Sequence, residues 1–482
     1  MWDPWPSQRK FRSLGRPELT PPQDGKPLPD TDLRPALKRR HVDLIALGGV
    51  IGAGLFVGTG VVIRSTGPAV VLSLLIAGLL TVLVMRMLAE MAVSRPAHGA
   101  FSAHAAQAFG PRAGFVVGWL YWYFFTIVVA VEPVAGGKLV RLWLPDVPLW
   151  AASFVLLAAL VLTNLRSTRA YGEFEYWFSS LKVVAIVVFL GVGALALLGF
   201  WPGAQGLSGL TEHGGFAPEG IGAVITAVVP CVAFYTGTEI VTIAASESAE
   251  PQRAVARAMR SIILRVVAFY VLSVLVVVAV VPWNAPRIES SPYAAVLEAL
   301  HVPAAGTIMN AVVLTAVLSC LNSALYTSSR MLHALARRGD APTGLARVSR
   351  EGVPRRTVLA GTLVGCAAVL GAYLSPDLVF AFLVHSYGAI ALFVYLAIAA
   401  SQVRLRHRDG PGQLRMWFFP WLSYLTITAM AAVVLAMAFL PETSSQFWFG
   451  LLTLAVVLVA SELRRRAGSG DRTVAEAAPA QS

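Results

Sequence analysis

Twelve stretches of roughly twenty or more mostly apolar residues run along this chain, and they constrain its fold more than any other feature. A helix needs about 20 apolar residues to cross the roughly 30 Å hydrocarbon core of a bilayer. The pattern therefore predicts an all-α polytopic membrane protein with twelve transmembrane helices. The candidate spans are 42–63, 68–93, 113–137, 147–165, 173–200, 220–245, 258–281, 302–335, 356–373, 376–403, 414–440 and 446–463.

The charged residues are scarce and unevenly distributed. Only 13% of the residues are charged, whereas a soluble domain carries about 25%. The net charge of +12 would suit a nucleic-acid partner, but its distribution argues against one. With a cytoplasmic N-terminus, 33 of the 38 Lys and Arg residues fall in cytoplasmic regions and only four in outside loops. This asymmetry predicts that both termini lie in the cytoplasm.

The three cysteines bear on disulfides and metal sites, and the two ends of the chain bear on signal peptides and flexible tails. Cys231, Cys320 and Cys366 all lie within candidate spans without a CxxC pair, so neither a disulfide framework nor a metal site is expected. The first 40 residues lack the apolar core of a signal peptide. Residues 1–40 and 464–482 are predicted to be flexible cytoplasmic tails.

Two spans are interrupted by glycine or proline. Residues 48–56 of the first span contain four glycines, and the sixth span contains Pro230 followed by the polar stretch 235–239. Paired interruptions in corresponding spans of two halves point to a transporter's binding site, because unpaired backbone groups can line a cavity but cannot face lipid. Close helix packing is an alternative explanation for the glycines of the first span alone. The matching interruption in the sixth span favours a binding site.

An ordered series of motifs is similar to a known family over residues 41 to about 440. The motifs are Ile-Ala-Leu-Gly-Gly at 45–49, Ala-Glu-Met-Ala-Val at 89–93, Gly-Trp-Leu-Tyr-Trp at 118–122, Gly-Thr-Glu-Ile at 237–240, Asn-Ser-Ala-Leu-Tyr at 322–326 and Arg-Gly-Asp-Ala-Pro at 338–342. They resemble bacterial amino-acid permeases of the amino-acid–polyamine–organocation superfamily. The segments 85–88, 239–245 and 414–417 resemble the γ-aminobutyrate permeases within it.

The resemblance implies an architecture and a location. Spans 1–5 (residues 41–200) and spans 6–10 (residues 220–403) would form two inverted five-helix repeats, each beginning with a broken helix. Spans 11 and 12 (residues 414–463) would lie outside the repeats. The protein would lie in the bacterial inner membrane and work by alternating access around a site between the two breaks.

The resemblance also implies where a substrate amino acid would bind. Its carboxylate would meet the amides of Ala53 and Gly54, with Gly52 permitting the turn, because a helix N-terminus offers free N–H groups and partial positive charge. Ala53 stands where many relatives carry a small hydroxylic residue, so recognition must depend more on the backbone. The ammonium group would meet carbonyls of the two unwound segments, near Phe234 and Tyr235, whose rings could instead serve ordinary packing. The residues expected there are Val50, Ala233, Phe234, Tyr235 and Thr236.

Lys182 is the most informative charged residue. It lies about nine residues into its span, which is about 14 Å at 1.5 Å per residue and so close to the midplane. A charge at that depth costs about 2.5–3.5 kcal/mol on insertion scales, so it is seldom without function. The resemblance implies that the amine takes the place of a sodium ion in sodium-coupled relatives. Because burial disfavours the charged amine, Lys182 can exchange a proton during transport.

Other polar residues within the spans are further candidates. Glu132 is expected either to face the substrate ammonium or to share a proton pathway with Lys182. Gly237 and Glu239 are expected to brace the unwound part of the sixth span. Ser319 and Asn322 are expected to line the cavity.

These features predict a secondary transporter, and not an enzyme, that takes up a small zwitterionic amino acid with protons. γ-Aminobutyrate is the favoured substrate. An exchanger, or a permease for another amino acid such as proline or an aromatic one, is the alternative. A membrane-embedded enzyme would need a nucleophile with its base or a metal site at membrane depth, and the spans show neither. No cofactor is expected beyond the proton as coupling ion, and no partner beyond the substrate and the lipid bilayer.

Overall fold

The structure is a computed structural model, which describes residues 39–48, 51–52, 54–95, 100–200, 206–246, 253–257, 262, 265–375, 382–383, 388–412 and 414–476. Every regular element within these residues is a helix, which confirms the predicted helical fold. The predictions for residues 1–38, for Val50 and for Ala53 lie outside this part of the chain.

The helices fall into a first half, a second half and a C-terminal pair. The first half contains α1 (Arg39–Gly48), α2 (Thr59–Thr66), α3 (Val70–Ser94), α4 (Ala100–Phe109), α5 (Pro111–Val140), α6 (Leu149–Arg166) and α7 (Thr168–Leu197). The second half contains α8 (Gly220–Phe234), α9 (Ile240–Ser246), α10 (Ser273–Val280), α11 (Pro286–Ser290), α12 (Pro292–Ala299), α13 (Ala305–Arg337), α14 (Arg355–Leu374) and α15 (Ile390–Asp409). The C-terminal pair is α16 (Trp421–Met437) and α17 (Pro441–Glu476).

Many of these helices have the length and composition of membrane spans. In the described part of the chain, six helical segments are long and apolar enough to cross a bilayer. They are Gly54–Ser94, Pro111–Val140, Leu149–Arg166, Thr168–Leu197, Ala305–Arg337 and Pro441–Arg466. Helix α13 has 33 residues, about 50 Å at 1.5 Å per residue, and so extends past the hydrocarbon core as its sequence suggested.

Helix α7 shows how such a helix divides its two faces. Leu181, Val184 and Val188 are 50%, 56% and 58% exposed, whereas Glu175 and Lys182 are fully buried. A helix of a soluble protein has the opposite arrangement, with its apolar face inward. The exposed apolar face is suited to lipid, and the buried polar face is suited to a site inside the bundle.

Both predicted interruptions are present. Helix α1 ends at Gly48, residues 51 and 52 belong to no helix, and a π-helical segment, Gly54–Gly58, leads into α2. In the sixth span, α8 ends at Phe234 and α9 begins at Ile240. Gly237 lies between them at φ +95°, a backbone conformation that glycine adopts without steric cost.

The interrupted segments are held by long helices that cross beside them. Helix α5 packs along α13, and α7 packs against both α1 and α13. Small residues permit the close approach of these helices. At Gly118 of α5, for example, an added Cβ would lie 2.7 Å from Leu335 Cδ2 of α13.

Two helix boundaries differ from the sequence-based expectation, and two short helices are additional to it. Helix α17 continues to Glu476, past residue 463, at which the last span was predicted to end. Backbone hydrogen bonds can extend a helix past the point where apolar residues stop. Helix α16 begins only after Pro420, within the predicted span 414–440. The short helices α11 and α12 were not predicted, and each begins with the proline that favours a first helical turn.

Candidate functional site

A cavity of about 330 Å³ lies between the two helix breaks. Its walls come from Gly52, Gly54 and Leu55, from α5, from the end of α8 and the turn after it, from α13, from the start of α15, and from the adjacent ends of α16 and α17. Ligand sites commonly measure about 300–1,000 Å³, so this cavity suits a small ligand. Most of its lining is apolar, and the polar exceptions are Glu132, Thr236, Ser323, Thr443 and Gln446.

The break in the first span forms one wall of the cavity. Gly52 and Gly54, the two described residues of the expected carboxylate cradle, both line it. A Cβ at Gly52 would lie 2.6 Å from Cys320 Sγ, and a Cβ at Gly54 would lie 3.3 Å from Phe234 Cδ1. The two glycines therefore let the unwound backbone approach α13 on one side and the sixth span on the other.

The opposite wall comes from the break in the sixth span. Ala233, Phe234, Thr236 and Gly237 line the cavity, so the aromatic ring of Phe234 faces the ligand space beside Gly54. Tyr235 is placed differently. Its hydroxyl donates to the Leu74 carbonyl at 2.9 Å, and its ring packs against Tyr270 at 4.4 Å outside the cavity lining.

Glu132 brings a carboxyl group into the cavity wall from α5. Its Oε2 atom is buried and has no hydrogen-bond partner among the described residues. The neighbouring lining residues on α5, Phe124, Phe125 and Val128, are apolar. A buried carboxyl oxygen without a partner is costly, so this atom is available to a cationic group of a ligand.

Lys182 joins the first break to α13. Its side chain is fully buried, and the Nζ atom donates to the Ile51 carbonyl at 2.9 Å and to Ser319 Oγ at 2.8 Å. Ile51 immediately precedes Gly52 in the unwound segment. The amine thus connects the backbone of the candidate carboxylate cradle to α13. A change in its protonation would alter both contacts, because charge-assisted hydrogen bonds are the stronger kind.

Glu175 is a buried carboxylate that the sequence-based interpretation missed. Its Oε1 atom accepts hydrogen bonds from Ser319 Oγ and, at 3.1 Å, from Ser179 Oγ. Its Oε2 atom accepts from Asn322 Nδ2 at 3.1 Å. Ser319 therefore contacts both Glu175 and Lys182. The spacing of Glu175, Ser179 and Lys182 at i, i+4 and i+7 places them on one helix face, and this signal could have identified the group.

Glu239 accepts hydrogen bonds from three different parts of the structure. The carboxylate accepts from Tyr121 Oη at 2.9 Å, from Tyr395 Oη at 2.7 Å and from the Gly237 amide at 3.0 Å. These partners come from α5, from α15 and from the unwound turn itself. The contacts tie the turn to two long helices and leave Glu239 outside the cavity lining.

The face of α13 that borders the cavity is not the face predicted. Cys320 and Ser323 line the cavity, whereas Ser319 and Asn322 face Glu175. Asn322 also accepts a hydrogen bond at 2.9 Å from Asn164 Nδ2 of α6. The polar residues of α13 thus divide between a ligand cavity and a separate buried network around Lys182 and Glu175.

Most of the chain is similar to a known family and to several named proteins. The family profile described as "Amino acid permease" matches residues 41–463. The "Gamma-aminobutyric acid permease" of Bacillus subtilis is 48% identical over 450 residues, which are 92% of this chain and 96% of that protein. The protein of the same name from Escherichia coli is 46% identical over 434 residues, 88% of this chain and 93% of that protein.

A more distant relative has a different substrate in its name. The "Aromatic amino acid transport protein AroP" of Corynebacterium glutamicum is 37% identical over 444 residues, which are 89% of this chain and 96% of that protein. All three relatives are named as transporters, and each match covers nearly the whole of both proteins.

Proposed function

Because this chain belongs to the amino acid permease family and is a membrane transporter rather than an enzyme, we propose that it takes up a small zwitterionic amino acid together with protons. γ-Aminobutyrate is the favoured substrate, and the proton is the coupling ion without a further cofactor. Transport proceeds by alternating access in the bacterial inner membrane. Twelve spans, arranged as two inverted repeats of five and a C-terminal pair, make up the transporter.

The substrate would lie between the two breaks with its charged ends separated. The carboxylate meets the backbone amide of Gly54, where a helical segment begins at the cavity wall. The ammonium group meets Glu132. The observation that carries this assignment is the buried Oε2 atom of Glu132, which has no partner among the described residues and borders a mostly apolar cavity.

The choice of γ-aminobutyrate rests on the relatives and on the size of the cavity. Two relatives at 46–48% identity are named for this substrate, whereas the relative named for aromatic amino acids is 37% identical. A volume of about 330 Å³ suits a short flexible amino acid with a methylene chain. An exchanger or a permease for another amino acid remains the alternative function.

Uptake into proteoliposomes tests the proposed function. Labelled γ-aminobutyrate, proline and phenylalanine are supplied to vesicles containing the purified protein, with and without an inward proton gradient. A gradient of one pH unit can support roughly tenfold accumulation if one proton accompanies each substrate, since about 1.4 kcal/mol corresponds to tenfold. We expect γ-aminobutyrate to accumulate and a protonophore to abolish the effect. Accumulation that is independent of the pH gradient but requires substrate inside the vesicles would identify an exchanger.

The orientation of the chain gives a prediction of its own. Tags placed at Trp5 and Ala475 are expected to be accessible only from the cytoplasm, and a tag at Gly206 only from the periplasm, because 33 of the 38 basic residues would then be cytoplasmic or at the cytoplasmic surface. Labelling of intact cells with a membrane-impermeant reagent measures this accessibility. Labelling of either terminus from outside would contradict the orientation.

Replacement of Glu132 tests the ammonium site. Glu132→Gln removes the charge and keeps the shape, and we expect the Kd for γ-aminobutyrate to rise roughly ten- to hundredfold, since a hydrogen bond to a charged group contributes about 1.5–3 kcal/mol. Calorimetric titration in detergent measures the Kd. Glu298→Gln, at a partly exposed carboxylate that pairs with Arg287, is the matched control. An unchanged Kd for Glu132→Gln would rule out the ammonium contact.

A further inference from the structure

We propose that Glu175 is a second proton site, which receives the proton of Lys182 through Ser319 during the transport cycle. This inference rests on the proposed coupling of transport to protons and adds a route for the proton once it leaves the lysine. The route runs away from the ligand cavity, along the buried face of α7.

The hydrogen bonds have the direction that such a transfer needs. Lys182 Nζ donates to Ser319 Oγ at 2.8 Å, and the same hydroxyl donates to Glu175 Oε1. Ser319 is thus an acceptor towards the amine and a donor towards the carboxylate. All three side chains are fully buried, so bulk water does not compete with the chain of hydrogen bonds.

The transfer balances without any further reactant. One N–H bond of the Lys182 ammonium breaks, and its proton forms a new O–H bond at Ser319 Oγ. The original O–H bond of Ser319 breaks, and that proton forms an O–H bond at Glu175 Oε1. The ammonium and the carboxylate become a neutral amine and a neutral acid, while the serine is regenerated. A buried pair of opposite charges is thereby replaced by two neutral groups, which reduces the cost of burial.

The surroundings of Glu175 can hold both of its forms. Asn322 Nδ2 donates to Oε2 at 3.1 Å, and Ser179 Oγ donates to Oε1 at 3.1 Å, so the ionised carboxylate has its hydrogen bonds satisfied. In the neutral form, the new O–H group donates back to Ser319. These partners keep the carboxyl group in place while its charge changes.

The position of Glu175 gives the route a direction. Glu175 precedes Lys182 by seven residues, which is about 10 Å nearer the start of α7. Tyr171 lies one turn nearer that end, and its ring stacks on the ring of Tyr326 with 4.0 Å between the centroids. At the first residue of the helix, Thr168 Oγ1 accepts a hydrogen bond from Arg330 Nη2 at 2.8 Å. In the proposed orientation this end of α7 is cytoplasmic, so a proton on Glu175 is closer to the side of release.

Several other titratable or charged groups belong to the elements packed around Glu175. Any pH dependence assigned to it must be separated from theirs by substitution. They include Tyr171, Lys182, Cys320, Tyr326 and Arg330 on α7 and α13, Arg40, His41 and Asp43 on α1, and Arg166 on α6.

Ser319 and Ser179 both donate a hydrogen bond to Glu175 Oε1, so their alanine variants form a matched test. Ser319→Ala interrupts the route from Lys182, whereas Ser179→Ala removes a hydrogen bond to Glu175 Oε1 and leaves the route intact. Ser180, whose hydroxyl bonds to the Tyr176 carbonyl of its own helix, supplies a neutral control as Ser180→Ala. The readout is the rate of pH-driven γ-aminobutyrate uptake divided by the rate of counterflow at equal pH, because counterflow needs no net proton movement.

If the proton passes from Lys182 through Ser319 to Glu175, a relay, these variants should differ in their ratio of pH-driven uptake to counterflow. We expect the ratio to fall at least roughly tenfold in Ser319→Ala, in line with the contribution of positioned proton-transfer groups, and to fall much less in Ser179→Ala. Ser319→Thr, which keeps a hydroxyl group, should restore part of the ratio. An unchanged ratio in Ser319→Ala, or an equal fall in Ser179→Ala, would overturn the relay.

Glu175→Gln provides an independent measurement. The amide cannot take up the proton, so the pH dependence of uptake should flatten while counterflow persists. Retention of the wild-type pH profile would exclude Glu175 as a proton site without affecting the proposed coupling. If the wild-type protein itself showed no pH-driven accumulation, the proposed coupling would be wrong. If Glu175→Gln did not bind substrate, the serine variants would decide the question.

Discussion

Lys182→Ala is expected to abolish accumulation of γ-aminobutyrate against its gradient while leaving substantial binding. The substitution removes the contacts of the amine with the Ile51 carbonyl and with Ser319, so the first break loses its link to α13. It also removes the amine that donates to the same Ser319 hydroxyl that bonds to Glu175, so the proposed route loses its proton donor. The groups proposed to hold the substrate, near Gly54 and Glu132, remain in place.

The paired measurement for Lys182→Ala is the Kd in detergent and the accumulation in proteoliposomes at two pH values. Binding within about tenfold of wild type, with no accumulation at either pH, would agree with a proton-carrying lysine. Accumulation with the wild-type pH dependence would show that Lys182 is structural, and Glu132 would become the leading proton carrier.

Lys182→Arg separates the charge of the residue from its ability to lose a proton. A guanidinium group keeps the positive charge but does not deprotonate in proteins. We expect binding to persist and concentrative uptake to fail, as in the alanine variant but for a different reason. Accumulation by the arginine variant at the wild-type rate would mean that the proton leaves from another group.

Gly54→Val is expected to raise the Kd for γ-aminobutyrate by roughly ten- to hundredfold, since overpacking typically costs about 1–3 kcal/mol. A Cβ at this position would already lie 3.3 Å from Phe234 Cδ1, and the two methyl groups of valine would push the ring into the ligand space. The β-branched side chain would also restrict the backbone where the helix resumes. Titration in detergent, with size-exclusion profiles to establish folding, measures the effect.

Two controls accompany Gly54→Val. At Gly191 of α7, an added Cβ meets no described atom within 4 Å, so Gly191→Ala should leave the Kd unchanged. Gly54→Ala, which adds only the Cβ, should have an intermediate effect. Wild-type affinity in folded Gly54→Val would show that this glycine serves helix packing alone and would remove the proposed carboxylate cradle.

The sequence alone determined the membrane character, the helical fold, the two interruptions and the family. Each of these depends on a local or compositional property. Apolar stretches must be long enough to span a bilayer, and the backbone of a span can be irregular only where it lines protein or water. The motifs from residue 45 to residue 342 identified the permease family, and the comparison over residues 41–463 confirmed it. Lys182 could be selected as a candidate functional residue from its depth within the span alone, because a charge buried in the membrane is costly whichever residues surround it.

The tertiary structure alone decided which polar groups meet. The rotation of each helix depends on packing between segments far apart in the chain. That rotation sets Ser319 and Asn322 against Glu175, Cys320 and Ser323 against the cavity, and the hydroxyl of Tyr235 against Leu74. The shared face of Glu175, Ser179 and Lys182 could be read from their spacing, but the link between them could not. Ser319 lies 137 residues from Lys182, and only the packing of α13 against α7 brings its hydroxyl between the amine and the carboxylate.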